Sequence, residues 1–496
     1  MNRKALTDED VSFCQTVSLV MLINPFSEER AERDRSTWGV DLPTNSTTKE
    51  LEQLLQAVFV RIEEMKSEGK YNLSYHTGAH RELLRDLMFF DVHHRFRSEV
   101  QDFVIRQSQA QESLEVPFAT DMIGYLVECG FPPKEALLFF EWSYQARRGY
   151  FFISEALAGE SPSMIRLRDS LWNSVFSSSH HWYRHIYKTM EDFSTLLLGE
   201  TGSGKSAAAM AIGRSCFIPY DETKNRFMES FQRGFISVNL SEFPEGVIES
   251  ELFGHKKGAF TGALEDYDGT FQRCSPYGAI FLDEIGEISI PLQIKLLRVL
   301  QERTFRAVGS YQEQQFRGRI IAATHQPVDQ LRRKKQMRDD FYYRLCTHEI
   351  VVPTLQQRIQ ERAQELDDLI ALILRRISED PIPGAQEMIV STIHRELGPS
   401  YSWPGNVREL EQCVRRILLT QQCHSSQQSS DWMELPERLI HGIQTGSYQA
   451  HALMSDYCML LYQQLHTYEA VAKQAGLDRR TVKKYIQQAL GKDDPT

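Results

Sequence analysis

Apolar residues follow two different rhythms along this chain. In the first third they recur at helical spacing, as in Leu51, Leu54, Leu55, Val58, Phe59 and Ile62, and again in Met122, Leu126, Ala136, Leu137 and Phe140. Steps of three and four put one face of a helix against a core, so residues 1–157 read as a mostly helical domain. Met164 to Val175 extends that pattern and leads into the serine-rich Ser177 to Ser179. Beyond it the rhythm becomes short unbroken apolar runs: Thr195–Leu198, Phe235–Asn239, Ala279–Leu282, Arg319–Thr324 and His348–Val352, with helical stretches between them. Runs of that kind suit strands buried on both faces, and their alternation with helices predicts a parallel α/β sheet covered on both sides. A helical region follows over 354–420. Residues 421–431 are polar and of low complexity, so 421–447 reads as a linker. Leu453–Leu465, Tyr468–Gln474 and Arg479–Ile486 then predict a small helical domain over 448–496.

The α/β part, expected over 158–353, opens with the chain's clearest chemistry. Gly199-Glu200-Thr201-Gly202-Ser203-Gly204-Lys205-Ser206 stands between the first strand and the helix-forming Ala207 to Ile212. Strand, glycine-rich loop and helix in that order form a phosphate cradle, because backbone N–H groups converge and the helix N-terminus adds positive potential. Lys205 is placed to reach the β- and γ-phosphates of ATP, and the Ser206 hydroxyl to take Mg2+. The run ending in Asp283-Glu284 supplies the other half. Asp283 would hold the metal through its waters, and Glu284 would orient and polarise the attacking water.

Composition narrows the picture. The 496 residues are long enough for about three domains, and 41% hydrophobic with 25% charged residues describes an ordinary globular chain. A net charge of -11 excludes a protein that coats nucleic acid with its whole surface, leaving only a local basic patch for that role. The eight cysteines show no C-x-x-C pair, which suits reduced thiols. Acids near the N-terminus stand where a signal peptide needs apolar residues, and no stretch reaches the length of a membrane span, so the expectation is a cytoplasmic protein without membrane contact. His76 and His80, and the histidines His93 and His94 beside Asp91, make a metal site or a ligand-sensing pocket conceivable, but like His180, His181 and His185 they lack an H-E-x-x-H or cysteine context and read as ordinary surface or partly buried histidines.

Two further stretches leave a choice. Gly258-Ala259-Phe260-Thr261-Gly262-Ala263 is a glycine-hinged apolar hexapeptide between charged flanks, either a buried turn or a loop whose Phe260 touches a partner. Near the C-terminus, Ala472, Gly476 and Val482 are spaced for a helix-turn-helix, with Asp478 as cap. Arg479, Arg480, Thr481, Lys483 and Lys484 then face either DNA or solvent, and net positive charge in an acidic chain favours DNA.

Taken together, Glu249 to His255, Gly258 to Ala263 and Trp403 to Leu410, added to the phosphate loop and the Asp283-Glu284 strand, make residues 159–411 resemble the AAA+ activators of sigma-54-dependent transcription, the bacterial enhancer-binding proteins. The resemblance implies an α/β AAA+ fold with a helical lid, an active homo-oligomer that is usually a hexameric ring, and ATP bound between subunits. It implies that Asn239 is a polar switch holding Glu284 until the loop engages, that Arg338 and Arg344 are fingers offered to a neighbour's γ-phosphate, and that Arg408 is the lid arginine sensing nucleotide. It implies that Gly258 to Ala263 contacts sigma-54 in the RNA polymerase holoenzyme, and that a Fis-like helix-turn-helix resembling residues 453–490 binds enhancer DNA. The activity implied is ATP-driven remodelling of the closed promoter complex to the open one. A DNA-binding regulator that uses its AAA+ core for assembly only, independently of sigma-54, is the alternative. The chain departs from the family pattern at His325, where Asn is usual, and at Ser206, where many members have Glu. It also departs in longer segments over 159–199 and 206–239, with an insertion around 218–232, and in an acidic turn displaced toward Glu365 and Asp367.

Overall fold

The computed structural model describes residues 5–21, 23–30, 32–33, 49–155, 157–177, 180–378, 380, 382–399, 401–423, 435–445 and 449–489. Packing divides the chain into two units, Met1–Glu387 with Ser400–Gln412, and Met388–Pro399 with Cys413–Thr496.

The first unit begins with helices α1 (Asp8–Met21), α2 (Lys49–Ser67), α3 (Gly78–Arg95), α4 (Arg97–Ser108), α5 (Ala119–Glu128) and α6 (Pro133–Glu155). Val58, Ile62, Met122, Leu126, Ala136 and Phe140 are all buried, as their spacing requires. Helix α7 (Pro162–Phe176) starts on a proline and leads through α8 (His180–Ile186) to β1 (Thr195–Leu198). Next come α9 (Lys205–Gly213), the hairpin β2 (Tyr220–Asp221) and β3 (Arg226–Phe227), β4 (Phe235–Asn239), α10 (Glu245–Phe253) and α11 (Thr270–Arg273). After β5 (Ala279–Asp283) the chain forms α12 (Ile290–Glu302), a hairpin of β6 (Thr304–Phe305) and β7 (Gln314–Gln315), and β8 (Arg319–Thr324). Helices α13 (Val328–Arg333) and α14 (Asp339–Leu345), β9 (His348–Val351), α15 (Leu355–Glu361) and α16 (Glu365–Ile377) follow.

The strands assemble as a five-stranded sheet in the order β4-β5-β8-β1-β9, and every pairing is parallel. Alternate residues of each strand face opposite ways. Leu196, Val238, Ile280, Leu282, Ile320 and Ala322 join the core beneath α10, α12, α13 and α14. Leu197, Phe281, Ile321, Ala323 and Ile350 join a second core with α7 and α9, and that core continues into the N-terminal helices without a break.

The inserted segment makes this continuity possible. Its hairpin docks on the N-terminal helices: Val116 N–H donates to the Asn225 carbonyl at 2.9 Å, Ser113 Oγ to the Phe227 carbonyl at 2.7 Å, and Tyr220 N–H to Glu141 Oε1 at 2.8 Å. The Phe227 ring stacks on Tyr144 at 3.9 Å and on Phe140 at 5.7 Å. The division expected at residue 158 falls on the link between α6 and α7, and packing runs straight across it. Buried Glu365 is salt-bridged to buried Arg358 at 2.7 Å and accepts the N–H of Glu160 at 2.9 Å, so the displaced acidic turn fastens this link.

The second unit includes α19 (Leu435–Thr445), α20 (Ala450–Leu465), α21 (Tyr468–Ala475) and α22 (Arg479–Ala489), while α17 (Ala385–Glu396) and α18 (Asn406–Thr420) contribute residues to both units. Part of the expected linker is thus helical; residues 424–431 lie outside the described ones. Cys458, Leu461, Val471, Val482 and Ile486 form a small core. Thr467 caps α21, Gly476 ends it at φ 67°, and Asp478 accepts the N–H groups of Arg480 and Thr481 at 2.8 and 3.1 Å. One expectation fails here: Cys413 and Cys423 are joined by a disulfide with Cα atoms 5.0 Å apart. The turn after α18 brings the two together, a proximity that scattered spacing does not announce. The other six cysteines are free. Among the described residues no helix is long and apolar enough to cross a membrane, and no three His, Cys, Asp or Glu side chains gather as a metal site.

Candidate functional site

The phosphate loop leaves β1 at Gly199 and turns through Gly202 (φ 77°) and Gly204 (φ 112°), backbone that L side chains rarely adopt. Lys205 is buried and its Nζ donates to the carbonyls of Gly199 at 2.8 Å and Glu200 at 3.1 Å. Burial lowers its pKa, opposed by the charges of Glu284 and Asp283. Asp283 ends β5 with its pKa raised by burial and then by the adjacent Glu284, while Lys205 and a hydrogen bond with Ser206 pull the other way. Loop lysine, helix hydroxyl and strand carboxylate are therefore neighbours.

These residues fit a nucleotide phosphate and a magnesium ion. The buried Ser203 hydroxyl has no hydrogen-bond partner, and a Cβ at Gly204 would meet only open space. A phosphate oxygen would answer both. Ser206 and Asp283 offer the hard oxygen ligands that magnesium prefers.

Glu284 adopts left-handed backbone, φ 56° and ψ 45°. For a non-glycine residue that costs on the order of 1–3 kcal/mol, and such strain gathers at working sites. Its Oε2 lies 2.7 Å from His325 Nδ1, at the end of the neighbouring strand β8. Asn239 takes no part in this contact. Its Oδ1 accepts the N–H of Ser241 at 3.2 Å and its Nδ2 donates to Glu242 at 3.0 Å, so its amide is occupied by the turn that follows β4. The partner that holds Glu284 in this structure is His325 in place of Asn239.

The lid reaches the loop through the start of α18. Val407 N–H donates to the Gly202 carbonyl at 3.1 Å, while Asn406 Nδ2 donates to Glu200 Oε2 at 3.0 Å and the Thr201 carbonyl at 3.2 Å. Asn406 Oδ1 in turn accepts Leu355 N–H at 2.8 Å. Arg408 is close enough that its charge lowers the pKa of Lys205. Asn406 is a positioning residue that sequence reasoning missed, although it sits inside the Trp403–Leu410 stretch that carries the resemblance. Arg338, the N-cap of α14, and Arg344 within that helix stand apart from this cluster. Arg338 pairs with Asp340 at 2.7 Å, and Arg344 is exposed.

The hexapeptide is an exposed loop on a narrow stalk and no buried turn. His255 exchanges backbone hydrogen bonds with Tyr267 at 3.0 and 2.9 Å, and Lys256 N–H donates to Val308 at 3.0 Å. Gly258 N–H closes the tip on the Ala263 carbonyl at 2.9 Å, with Gly258 and Gly262 at φ 79° and 106°. Phe260, 45% exposed, rests its edge on the His255 ring with centroids 5.0 Å apart. Thr261 is exposed beside it.

Residues 176–351 match the family model of the Sigma-54 interaction domain. Residues 360–451 match the AAA+ ATPase lid domain, a span that takes in α19. The chain is 36% identical over 277 residues to the Nif-specific regulatory protein of Azotobacter vinelandii, covering 55% of this chain and 46% of that protein. It is 36% identical over 264 residues to the transcriptional regulatory protein GlrR of Escherichia coli K12, covering 52% of each. It is 37% identical over 238 residues to the DNA-binding transcriptional regulator NtrC of Azospirillum brasilense, covering 47% and 45%. The chain spans about half the length of the curated relatives it matches. The phosphate loop, the Asp283–Glu284 strand end and the exposed Phe260 loop all lie within the residues that match the Sigma-54 interaction domain.

In the second unit, Arg480, Lys483 and Lys484 are exposed along α22, and Arg479 is paired with Glu469 on α21 at 2.9 Å. Thr481 Oγ1 is bonded to the Asp478 cap, which leaves it only partly available.

Proposed function

We propose that this protein is an ATP-hydrolysing activator of sigma-54-dependent transcription. The observation that carries the reading is an aromatic-tipped loop, Phe260 and Thr261 on their stalk, built into the same α/β unit as a complete phosphate loop. Magnesium supplies Lewis-acid neutralisation of phosphate charge. Lys205 and the N–H groups of Gly202 to Ser206 bind and orient the phosphates, with Ser206 and Asp283 as the metal's protein-side partners. Glu284 orients the attacking water and accepts its proton once it leaves His325. Arg338 at the N-cap of α14 and the exposed Arg344 within it act on the nucleotide of a neighbouring subunit in a ring, which ties hydrolysis to assembly. In the ring Asn239 holds the Glu284 carboxylate until the Phe260 loop engages, so chemistry and loop position change together. Arg408 and Asn406 carry the state of the phosphate loop to the lid. Helix α22 binds enhancer DNA through Arg479, Arg480, Thr481, Lys483 and Lys484. The helices before residue 158 regulate the ring, and the protein works in the cytoplasm.

The test is Thr261→Ala in the full chain, read in two assays. ATPase activity is expected to remain within about twofold, whereas open-complex formation with sigma-54 polymerase falls at least tenfold, about 1.4 kcal/mol. Normal transcription from that variant would overturn the loop's role. A gel shift of sigma-54 with the protein, ADP and aluminium fluoride checks the partner directly, and its failure alongside intact hydrolysis would favour an assembly-only AAA+ core.

A further inference from the structure

Three N-terminal helices bring two arginines and two histidines to one corner, and no described acid is paired with them there. His93 and His94 lie in the last turn of α3, Arg97 opens α4, and Arg147 lies within α6. The Arg147 side chain is buried, with the residue 7% exposed, and its Nη2 donates to His93 Nε2 at 2.9 Å. That bond requires a neutral His93 with its proton on Nδ1. Arg147 Nε and His94 Nδ1 are buried with no hydrogen-bond partner. Arg97 is half-buried and makes no ion pair with any described residue. The Phe90 ring lies 4.3 Å from that of His94, and Phe89 stacks on His93 at 6.3 Å, giving the corner an apolar wall.

The charges around this corner share one sign. Burial, then Arg147, holds both imidazoles well below their ordinary value, with Arg97 adding to it in each case. Burial and Arg97 bring the Arg147 guanidinium down to about 10. Arg30 and Arg168 also act on Tyr150, the residue three beyond Arg147. Three described carboxylates on the packed elements are engaged elsewhere. Asp91 of α3 takes Tyr71 at 3.0 Å and Arg95 at 3.1 Å, and Asp169 of α7 is bonded by Asn24 and Asn173. Glu99 of α4 accepts from Ser98. A buried guanidinium with an idle N–H is costly unless something anionic completes it.

We propose that Arg97, Arg147 and His94 form a binding site for a small oxyanion, a carboxylic acid or a phosphate ester, in the N-terminal domain. Arg147 offers its idle Nε–H, Arg97 closes from the half-exposed side, and His94 donates through Nδ1 in the tautomer that carries its proton there. Helix α6 also grips the helix that bears the phosphate-loop lysine. Gln145 Nε2 donates to the Ser215 carbonyl at 3.0 Å and the fully buried Arg148 to that of Cys216, both just past the end of α9. Resting on the regulatory reading given above, an anion bound at Arg147 acts one residue from a contact to α9 and so reaches the ATPase site.

Titration calorimetry on the full chain tests this. The protein is saturated with ADP and magnesium, so that the phosphate loop is filled, and titrated at constant ionic strength with inorganic phosphate in one arm and succinate in the other. Saturable one-site binding is expected in one arm, and the arm that responds identifies a phosphorylated or a carboxylic ligand. Arg97→Ala is expected to weaken it at least tenfold and Arg147→Met to remove it. Without anion, Arg147→Met should melt at or above the parent temperature, because an unmatched buried charge is gone. No saturable heat in either arm, or binding that survives both substitutions, overturns the site. Binding that leaves the ATPase rate unchanged in a separate assay keeps the site and overturns the regulatory reading.

Discussion

The two faces of the central sheet bury alternate residues of the same strands, yet they are covered by different kinds of structure. One face, with Ile280, Leu282, Ile320 and Ala322, is closed by helices of the α/β unit itself, among them α10 and α14, which lead to the Phe260 loop and carry Arg344. The other, with Leu197, Phe281, Ile321 and Ala323, shares its core with α7, α9 and the N-terminal helices. The N-terminal region is therefore no bead on a tether. Its helices are part of what holds the phosphate-loop helix in place, so a change in them changes the packing of α9 directly.

The largest effect should come from the shared face. Phe140, fully buried against Phe118, Tyr220 and Phe227, joins the N-terminal helices to the inserted hairpin. Phe140→Ala is expected to cost about 4 kcal/mol. Calorimetry should show the N-terminal helices and the sheet melting together at a lower temperature. Two separated transitions, with only the first one shifted, would break the comparison.

A smaller effect on the same seam has a sign set by pH. Burial raises the Glu141 carboxyl from 4.5 to about 7, although it accepts Tyr220 N–H. The folded protein thus holds this proton more tightly than the unfolded chain does. Its contribution is fully present below pH 4.5 and is lost as pH rises through 7, a fall of up to about 3 kcal/mol. Urea melts of Glu141→Gln at pH 5 and pH 8 should lack that part of the slope; an unchanged slope would show that Glu141 is not its source.

The smallest effect belongs to the loop reached from the other face. Phe260 is nearly half exposed and leans only on His255, so Phe260→Ala should change stability by no more than about 0.5 kcal/mol. A loss of several kcal/mol would mean the ring is structural, and the proposed contact with sigma-54 would need another residue.

What the sequence made legible is what is local. The phosphate loop, the strands near 196, 237, 281 and 321, and the capped helices around Gly476 and Asp478 each carry their own period or turn residues, and the fold repeats them closely. What it hid depends on side chains meeting across long stretches of chain. The insertion around 218–232 was visible as extra length, but its pairing with Ser113 and Val116 leaves no periodic trace. The same holds for Glu284, whose partner His325 lies on another strand, and for Cys413 and Cys423. Arg147 looked like any helix arginine, and His93 like any helix histidine, because nothing within α3 or α6 says that the two meet.

Gly202 has a consequence for how this chain can vary. Its φ of 77° already resists a side chain, and a Cβ there would stand 2.3 Å from the Gly405 carbonyl and 3.1 Å from Arg408 Cβ. An alanine at 202 therefore fails in the loop and in the seat of the lid at once. No compensating change at 405 can help, since the obstacle is a main-chain oxygen that every amino acid possesses. Drift in the loop and drift in the lid are thus not independent: at this point two distant stretches of sequence share one tolerance, and it is close to zero.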